Sequence, residues 1–455
     1  MTSLWNATNP LAAPRRPALS VHTPDHGRSA TAECDVAIVG GGFTGLWTAR
    51  SLLVADPSLD VLVIDAERCG FGASGRNGGW CSALFPTSHA ALTSRFGAAA
   101  ADAQREAMRA AVDEVGRAAA EDDIDCHFAK GGTITMATGP AQIERVRDHL
   151  EDGDEWLDAS AARELVAAEG LLGAAYTPHC AALHPARLAS GLAAAVERRR
   201  GRIVEATRVR SIEPGLLTCA DGATVRADTI IRATEGFTPS IEGLRRAVVP
   251  IYSLMIATEP LPDHMWASIG LARRETFTDG RHMIIYGQRT ADGRLAFGGR
   301  GAPYHLGSRV KPSYDLDGRV FGLLETTLRS LFPQIGGAAI THRWGGPLGV
   351  PRDWMASVGF DPTTRVGWAG GYVGDGVSTT NLAGRTLADL VLGRTSPLTE
   401  LPWVGHRSPD WEPEPLRWLG INGGRAVADV ADRVESRTGK PARWAETVMS
   451  KLSGG

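Results

Sequence analysis

The sequence predicts an α/β fold, a Rossmann-type dinucleotide-binding domain interleaved with a second, α+β domain built on a mostly antiparallel sheet. Three stretches carry this expectation. Residues 34–67, CDVAIVGGGFTGLWTARSLLVADPSLDVLVIDAE, hold an apolar strand run, a glycine turn, a helical run and a second strand ending in an acid. Residues 370–393, GGYVGDGVSTTNLAGRTLADLVLG, set a second glycine-rich turn before a helix. Between them, residues 247–300 change to strand-like alternation, with a hairpin signal at Asp292-Gly293.

In the first stretch each part has a physical task. Residues 35–39 suit a buried parallel strand. Gly40, Gly42 and Gly45 form G-x-G-x-x-G, with Phe43 and Thr44 inside it. Gly40 permits the tight turn, Gly42 lets backbone approach a pyrophosphate, and Gly45 lets helix and strand pack closely. The helix N-terminus offers free N–H groups and partial positive charge to that anion. Asp65, followed by Ala66 and Glu67, ends the second strand and can accept hydrogen bonds from ribose hydroxyls.

Composition excludes several classes. The chain has 455 residues, enough for two interleaved domains, and a formal net charge of −3, which argues against broad nucleic-acid binding. No apolar run approaches membrane-span length. The six cysteines lie far apart without C-x-x-C or zinc-type pairing, so no metal centre is expected and reduced thiols in a cytoplasmic protein are. Arg15-Arg16 lacks the hydrophobic core of a twin-arginine signal.

Taken in order, residues 1–30 read as an arm lying over the body or partly disordered, with Trp5 as a possible anchor. Residues 70–80, GFGASGRNGGW, can wrap backbone around a flat or anionic ligand, with Ser74 and Arg76 reaching phosphates and Asn77 a ring's polar edge. Residues 97–122 read as a long helix, 130–138 as a strand and 141–151 as a charged helix. Residues 203–212 and 223–233 read as strands, as do 248–259 and 366–369. Near the C-terminus an amphipathic helix is expected at 424–437.

The pair of motifs VGGGFTGLWTA and GASGRNGGW resembles FAD-dependent oxidoreductases of the D-amino-acid oxidase superfamily, in the branch of bacterial amine oxidases that includes gamma-glutamylputrescine oxidase, with glycine and sarcosine oxidases more distant. The resemblance spans roughly residues 34–395. It implies a non-covalently bound FAD, its pyrophosphate at Gly40–Gly45 and its adenosine ribose at Asp65. Gly72, Ala73, Ser74, Arg76, Asn77, Gly78 and Gly79 follow the ribityl chain and ring. Val209, Thr234, Gly236 and Gly346 close on the cofactor. The turn bearing Gly371, Val373, Gly374 and Asp375 leads through Gly376, Val377, Ser378 and Thr379 into a helix whose N-terminus faces the electron-rich edge of reduced flavin. His184, in an H-P-x-x-L segment, is read as structural. Tyr252, Tyr286, Arg300 and Trp344 are placed near substrate.

The implied domains are an arm at 1–30, a discontinuous FAD-binding domain at 31–96, 151–245 and 341–395, a substrate domain at 97–150 and 246–340, and a helical extension at 396–455. The implied reaction is oxidation of an amine or amino acid to an imine that water hydrolyses, with oxygen as acceptor and peroxide as product. A neutral amine needs no protein base, so no catalytic residue is singled out. Some relatives use a lysine near the flavin for oxygen reduction, and residues 282–289 hold none. A dehydrogenase with another acceptor is therefore a rival, and a non-catalytic FAD-binding subunit a weaker one. Covalent attachment through a late cysteine is excluded because none follows Cys219; Cys81 is the thiol nearest the motif.

Overall fold

Two eight-stranded sheets organise the chain in a computed structural model that describes residues 3–19 and 31–453, apart from the side chains of Thr31, Arg300 and 450–453. In the first sheet, Thr31–Val39 pairs in parallel with Val61–Ile64 on one side and Thr224–Arg232 on the other. Arg202–Val204 extends one edge in parallel, and Val366–Gly370 pairs in parallel with Thr224–Arg232. Alternation along Thr31–Val39 divides its two faces. Val36 and Ile38 enter a core with Leu46, Trp47 and Leu52 of the helix Phe43–Ala55, whereas Ala37 and Val39 meet Leu62, Ile64, Val209 and Leu217 on the far side.

The second sheet runs Ile340–Val350, Val249–Thr258, Leu295–Arg300, Ile285–Arg289, Thr276–Asp279, Thr133–Ala137, Gly173–Thr177, Glu155–Asp158. Every pairing is antiparallel except Thr276–Asp279 with Thr133–Ala137. The α/β class and the mostly antiparallel second sheet are as expected.

The boundaries differ from those read in the sequence. Glu155–Asp158, Gly173–Thr177 and Ile340–Val350 belong to the second sheet rather than to the first unit. The helix Ala98–Glu121 packs Met108, Ala111, Val112 and Val115 into the first core rather than onto the second sheet. Short strands between glycines and a helix whose apolar stripe is mostly alanine carry no signal for which core they join. Residues 203–212 form two strands, Arg202–Val204 and Val209–Glu213, because Ala206 turns between them with φ 54°. The C-terminal helix begins earlier than expected, spanning Leu416–Thr438, its glycines at 420, 423 and 424 having hidden the first turns. Among the described residues no helix is long and apolar enough to cross a membrane.

Residues 3–19 of the N-terminal arm dock, the rest of it lying outside the described residues. Ser3 caps the short helix Leu4–Ala7. Trp5 is 2% exposed, packs edge-on against Trp344 and His184, and donates from Nε1 to the Asn77 carbonyl at 2.7 Å. Arg16 ties the arm to Glu197 and Glu205. His184 caps the helix Pro185–Arg198, accepting from the Arg187 amide, and meets the Thr8 hydroxyl. Burial lowers the His184 pKa to about 4, so the ring is neutral, as a structural cap requires.

Trp5→Ala should leave a cavity and an unpaired Asn77 carbonyl, costing about 3–5 kcal/mol. A clearly lower unfolding midpoint is expected; an unchanged midpoint would show that the arm contributes nothing to the fold.

Candidate active site

The site begins where the first strand stops. At Gly40, φ is 114°, and a Cβ there would lie 2.3 Å from the Ala233 carbonyl oxygen. A Cβ at Gly45 would lie 1.9 Å from the Gly40 oxygen. Both positions exclude side chains, which seats the N-terminus of Phe43–Ala55 directly on the strand ends. The turn is then tied from two sides. Asp65 accepts from the Gly41 amide and the Glu67 amide, both at 2.7 Å. Ser74 Oγ accepts from the Phe43 amide at 2.8 Å. Burial raises the Asp65 pKa, opposed by those amide hydrogen bonds.

Around this turn lies an elongated cavity with about 1190 Å³ of empty space, part of it open to solvent. Gly40, Gly42, Phe43 and Thr44 form one end, with Asp65, Ala66 and Glu67 beside them. Gly72, Ala73, Ser74 and Asn77 form a wall, facing Val209, Thr234 and Gly236. Gly374, Gly376 and Val377 close the other end.

A second cavity of about 1060 Å³ adjoins it, sharing Ala73, Asn77, Leu348, Gly374 and Val377. Its further walls are Arg76, Gly78, Trp80, Gly346 and Asp375 from the glycine loops, and Ser253, Thr278, Asp279, Ile284 and Tyr286 from the second sheet. The Tyr286 hydroxyl lies 2.8 Å from Ser253 Oγ, and the Tyr286 ring meets Trp80 edge-on at 6.1 Å. Asp279 is buried, accepts from the Ile285 amide and pairs with Arg281; burial raises its pKa, which those partners oppose.

The expected site residues divide accordingly. Seventeen of them line the first cavity. Tyr286, Arg76, Gly78, Gly346 and Asp375 line the second. Gly45, Gly79, Gly371, Val373, Ser378 and Thr379 line neither. Ser378 and Thr379 turn their hydroxyls onto the Ser82 and Asp375 carbonyls, so they secure the helix start. Arg76, expected at a phosphate, instead pairs with Asp315 at 2.7 Å and donates to the Gly345 carbonyl at 3.0 Å. The Asn77 side chain, expected at a ring edge, is spent inside its loop, accepting from the Gly79 amide and donating to Ala73 and Ser74 carbonyls.

Tyr252 is absent from both linings. It is 1% exposed, sits among His305 and Tyr314, and its hydroxyl accepts from the Lys311 amide. Its neighbour Ser253 takes the cavity face, because successive strand residues point to opposite sides. Trp344 also lies behind the wall, donating from Nε1 to the Arg76 carbonyl at 2.8 Å. The side chain of Arg300 lies outside the described residues; its backbone pairs with Ser253.

Sequence reasoning missed Ser253, Asp279, Trp80 and Glu235. Ser253 and Asp279 carry no local motif, but Trp80 ends GASGRNGGW and Glu235 sits in the A-T-E-G turn, so position could have marked both. Glu235 lines the first cavity and accepts from the Gly371 amide at 3.0 Å and the Tyr372 amide at 3.3 Å, which pins the C-terminal glycine turn. Burial pushes its carboxyl up to about 7 against these hydrogen bonds, while burial lowers the nearby Arg232 to about 10. Cys81 is fully buried, lines neither cavity, and burial raises its thiol pKa well above the ordinary value, so no reactive thiolate faces the site.

A strand-end glycine turn at a helix N-terminus, an acid beside it, and a second glycine loop along an elongated cavity together suit a dinucleotide cofactor. The chain belongs to the DAO family of FAD dependent oxidoreductases, whose pattern matches residues 35–390. It is an FAD-dependent oxidoreductase. It is 31% identical to gamma-glutamylputrescine oxidoreductase of Escherichia coli strain K12 over 79% of this chain and 84% of that protein. It is 26% identical to glycine oxidase of Geobacillus kaustophilus, over 78% of this chain and 92% of the relative. The crystal structure of that glycine oxidase superposes with a TM-score of 0.70 at 21% identity, covering 82% of this chain and 99% of the other.

Two outcomes follow. Gly42→Val places a branched side chain where even a Cβ would approach Ser74 Oγ to 2.9 Å, at the cavity wall. It should yield protein largely without FAD, read from the absorbance ratio; normal FAD content would refute the phosphate placement. The second concerns Glu235, whose pKa is raised from 4.5 to about 7 in the fold. The folded state holds this proton more tightly, so its contribution to apoprotein stability is full below the unfolded value and is lost as pH rises toward about 7. Glu235→Gln should flatten that part of the stability–pH profile; an identical profile would show that Glu235 is ionised throughout.

Proposed function

We propose that this chain oxidises the C–N bond of a small amine or amino acid held in the second cavity, releasing an imine that water hydrolyses to an aldehyde or keto product. The observation that carries the reading is the junction of the two cavities: glycine-loop backbone on one side, and a Tyr286–Ser253 hydroxyl pair with Trp80 and Asp279 on the other. Relatives named for glycine and gamma-glutamylputrescine support the substrate class.

The residues that line the first cavity would hold FAD non-covalently. The Gly42 and Thr44 amides would hold its pyrophosphate, Asp65 its ribose, and the N-terminus of Gly376–Val391 its ring. When bound, FAD supplies the hydride acceptor. The chain's own residues orient the substrate. The Tyr286 and Ser253 hydroxyl oxygens present acceptor lone pairs toward the N–H groups of an amine. Trp80, fixed by its Nε1 donating to the Gly287 carbonyl at 3.2 Å, provides an apolar wall for the reacting carbon. The Arg76 guanidinium is held by Asp315 and the Asp279 carboxylate by Arg281, so neither adds an unbalanced charge to this cavity. Among the described residues no histidine or lysine lines it, so proton loss is assigned to the amine before hydride transfer.

Oxygen is the proposed acceptor. The absence of a lysine among the described residues of both linings favours the second reading, a dehydrogenase passing electrons to another acceptor. We propose a cytoplasmic enzyme, its six cysteines all free in the structure.

The test is anaerobic addition of glycine, sarcosine, putrescine and γ-glutamylputrescine to the yellow protein. Bleaching by at least one amine, with peroxide formed on readmitting air, is expected. Bleaching without peroxide selects the dehydrogenase, and absence of bleaching by any amine rejects the substrate class. For the best substrate, Tyr286→Phe should lower kcat/KM about ten-fold, about 1.4 kcal/mol, with FAD content unchanged. Unaltered kinetics would remove Tyr286 from the site. The kcat/KM should rise with pH along the substrate amine's own pKa, and a profile that stays put when the amine is changed would point to a protein base instead.

A further inference from the structure

The family match ends at residue 390, yet the C-terminal helix Leu416–Thr438 reaches the wall of the second cavity. Strands Thr276–Asp279 and Ile285–Arg289 are joined by residues 280–284. This connection delivers Asp279 and Ile284 to the cavity and sets the start of the strand that bears Tyr286. Its backbone is not held by the sheet alone. Asp432 of the C-terminal helix accepts from the His282 amide at 2.8 Å and from the Met283 amide at 2.9 Å, one on each carboxylate oxygen. One turn along the same helix, Glu435 meets His282 Nε2 at 3.0 Å and Arg145 at 2.5 Å. Arg145 in turn donates to the Gly280 carbonyl. Glu435 is 6% exposed, and burial, opposed by the stronger pull of Arg145 and its hydrogen bonds, leaves its pKa lowered.

We infer that Asp432 is a positioning residue for substrate: the C-terminal extension, by capping the His282 and Met283 amides, fixes the 280–284 connection and with it the side of the second cavity formed by Asp279, Ile284 and Tyr286. Two adjacent amides on one carboxylate form a bidentate clasp, stronger than two neutral hydrogen bonds and directional enough to set a loop's position. The connection contributes no residue to the first cavity. The clasp therefore acts on substrate affinity and leaves cofactor retention untouched. This rests on the proposal that the second cavity holds the substrate.

The experiment pairs a substrate-independent readout with kinetics. In the FAD-loaded full-length protein, Asp432→Ala should speed amide deuterium uptake in the peptide covering residues 280–286 while the FAD-to-protein ratio stays at the wild-type value. With the best amine of the panel, KM should rise about ten-fold with kcat nearly constant, and Asp432→Asn, which keeps one carbonyl acceptor, should recover part of the loss. If Asp432→Ala does not fold, Asp432→Asn carries the test with a smaller KM rise. Faster exchange with unchanged KM, while Ser253→Ala or Tyr286→Phe does raise KM, overturns the positioning role and leaves the cavity assignment standing. If none of the three variants moves KM, the cavity assignment itself fails, and the inference with it. Unchanged exchange in Asp432→Ala shows that the clasp does not hold the connection.

Discussion

The structure depends on one steric constraint, the approach of a helix N-terminus to the end of the strand that feeds it. The Gly40 carbonyl occupies the space where a Gly45 side chain would stand, and the Ala233 carbonyl occupies the space beside Gly40. Three chain segments thus meet at backbone-to-backbone distance. Any side chain larger than hydrogen at either position separates them, and with them the amides that face the cavity. The same demand recurs where Gly384 of the C-terminal-turn helix meets Trp47: a Cβ there would lie 2.7 Å from the Trp47 carbonyl carbon. The two helices whose N-termini flank the first cavity are held together by that contact.

Two carboxylates then pin what the glycines allow. Asp65 holds the first turn through the Gly41 amide, and Glu235 holds the C-terminal turn through the Gly371 and Tyr372 amides. A carboxylate capped by amides in a desolvated place is paired, which offsets its burial cost. The two acids differ in a useful way. Asp65 has neighbouring Glu67 and Glu205, while Glu235 lies beside Arg232. Both acids line the first cavity themselves, beside the glycine backbone they hold, whereas the second cavity takes one wall from side chains of the second sheet.

That division explains what the sequence disclosed. Backbone sites need glycine at fixed spacing, and G-x-G-x-x-G, GASGRNGG and the 370–376 turn announce themselves in any reading frame of neighbours. Side-chain sites need only a strand whose alternate residues face inward, and alternation does not reveal which face is inward. Tyr252 and Ser253 show the difficulty: the tyrosine looked like the functional residue, yet the serine beside it faces the cavity. Arg76 shows a second limit. Its position in a phosphate-type loop is legible, but its partner Asp315 lies 239 residues away, and long-range ion pairs leave no local trace. Domain boundaries fail for the same reason, since Glu155–Asp158 and Gly173–Thr177 pair with a strand from elsewhere in the chain.

The segments outside residues 35–390 act on the site from behind. The N-terminal arm sets Trp5 on the Asn77 carbonyl, inside the loop shared by both cavities. The C-terminal helix sets Asp432 on the 280–284 connection at the second cavity alone. An indole N–H and a carboxylate each satisfy backbone groups that would otherwise depend on water, and each fixes a direction as well as a distance. Leu4 and Trp5 add apolar packing against Met255 and Trp344. The small apolar cluster at the tip of the C-terminal extension, Ala431, Ala442 and Ala445, closes that extension on itself rather than on the body. Asp432 and Glu435 hold this helix on the connection. A shift of one helical turn would leave the His282 and Met283 amides without their carboxylate and part Arg145 from Glu435, so the register of the extension and the shape of the second cavity are set together.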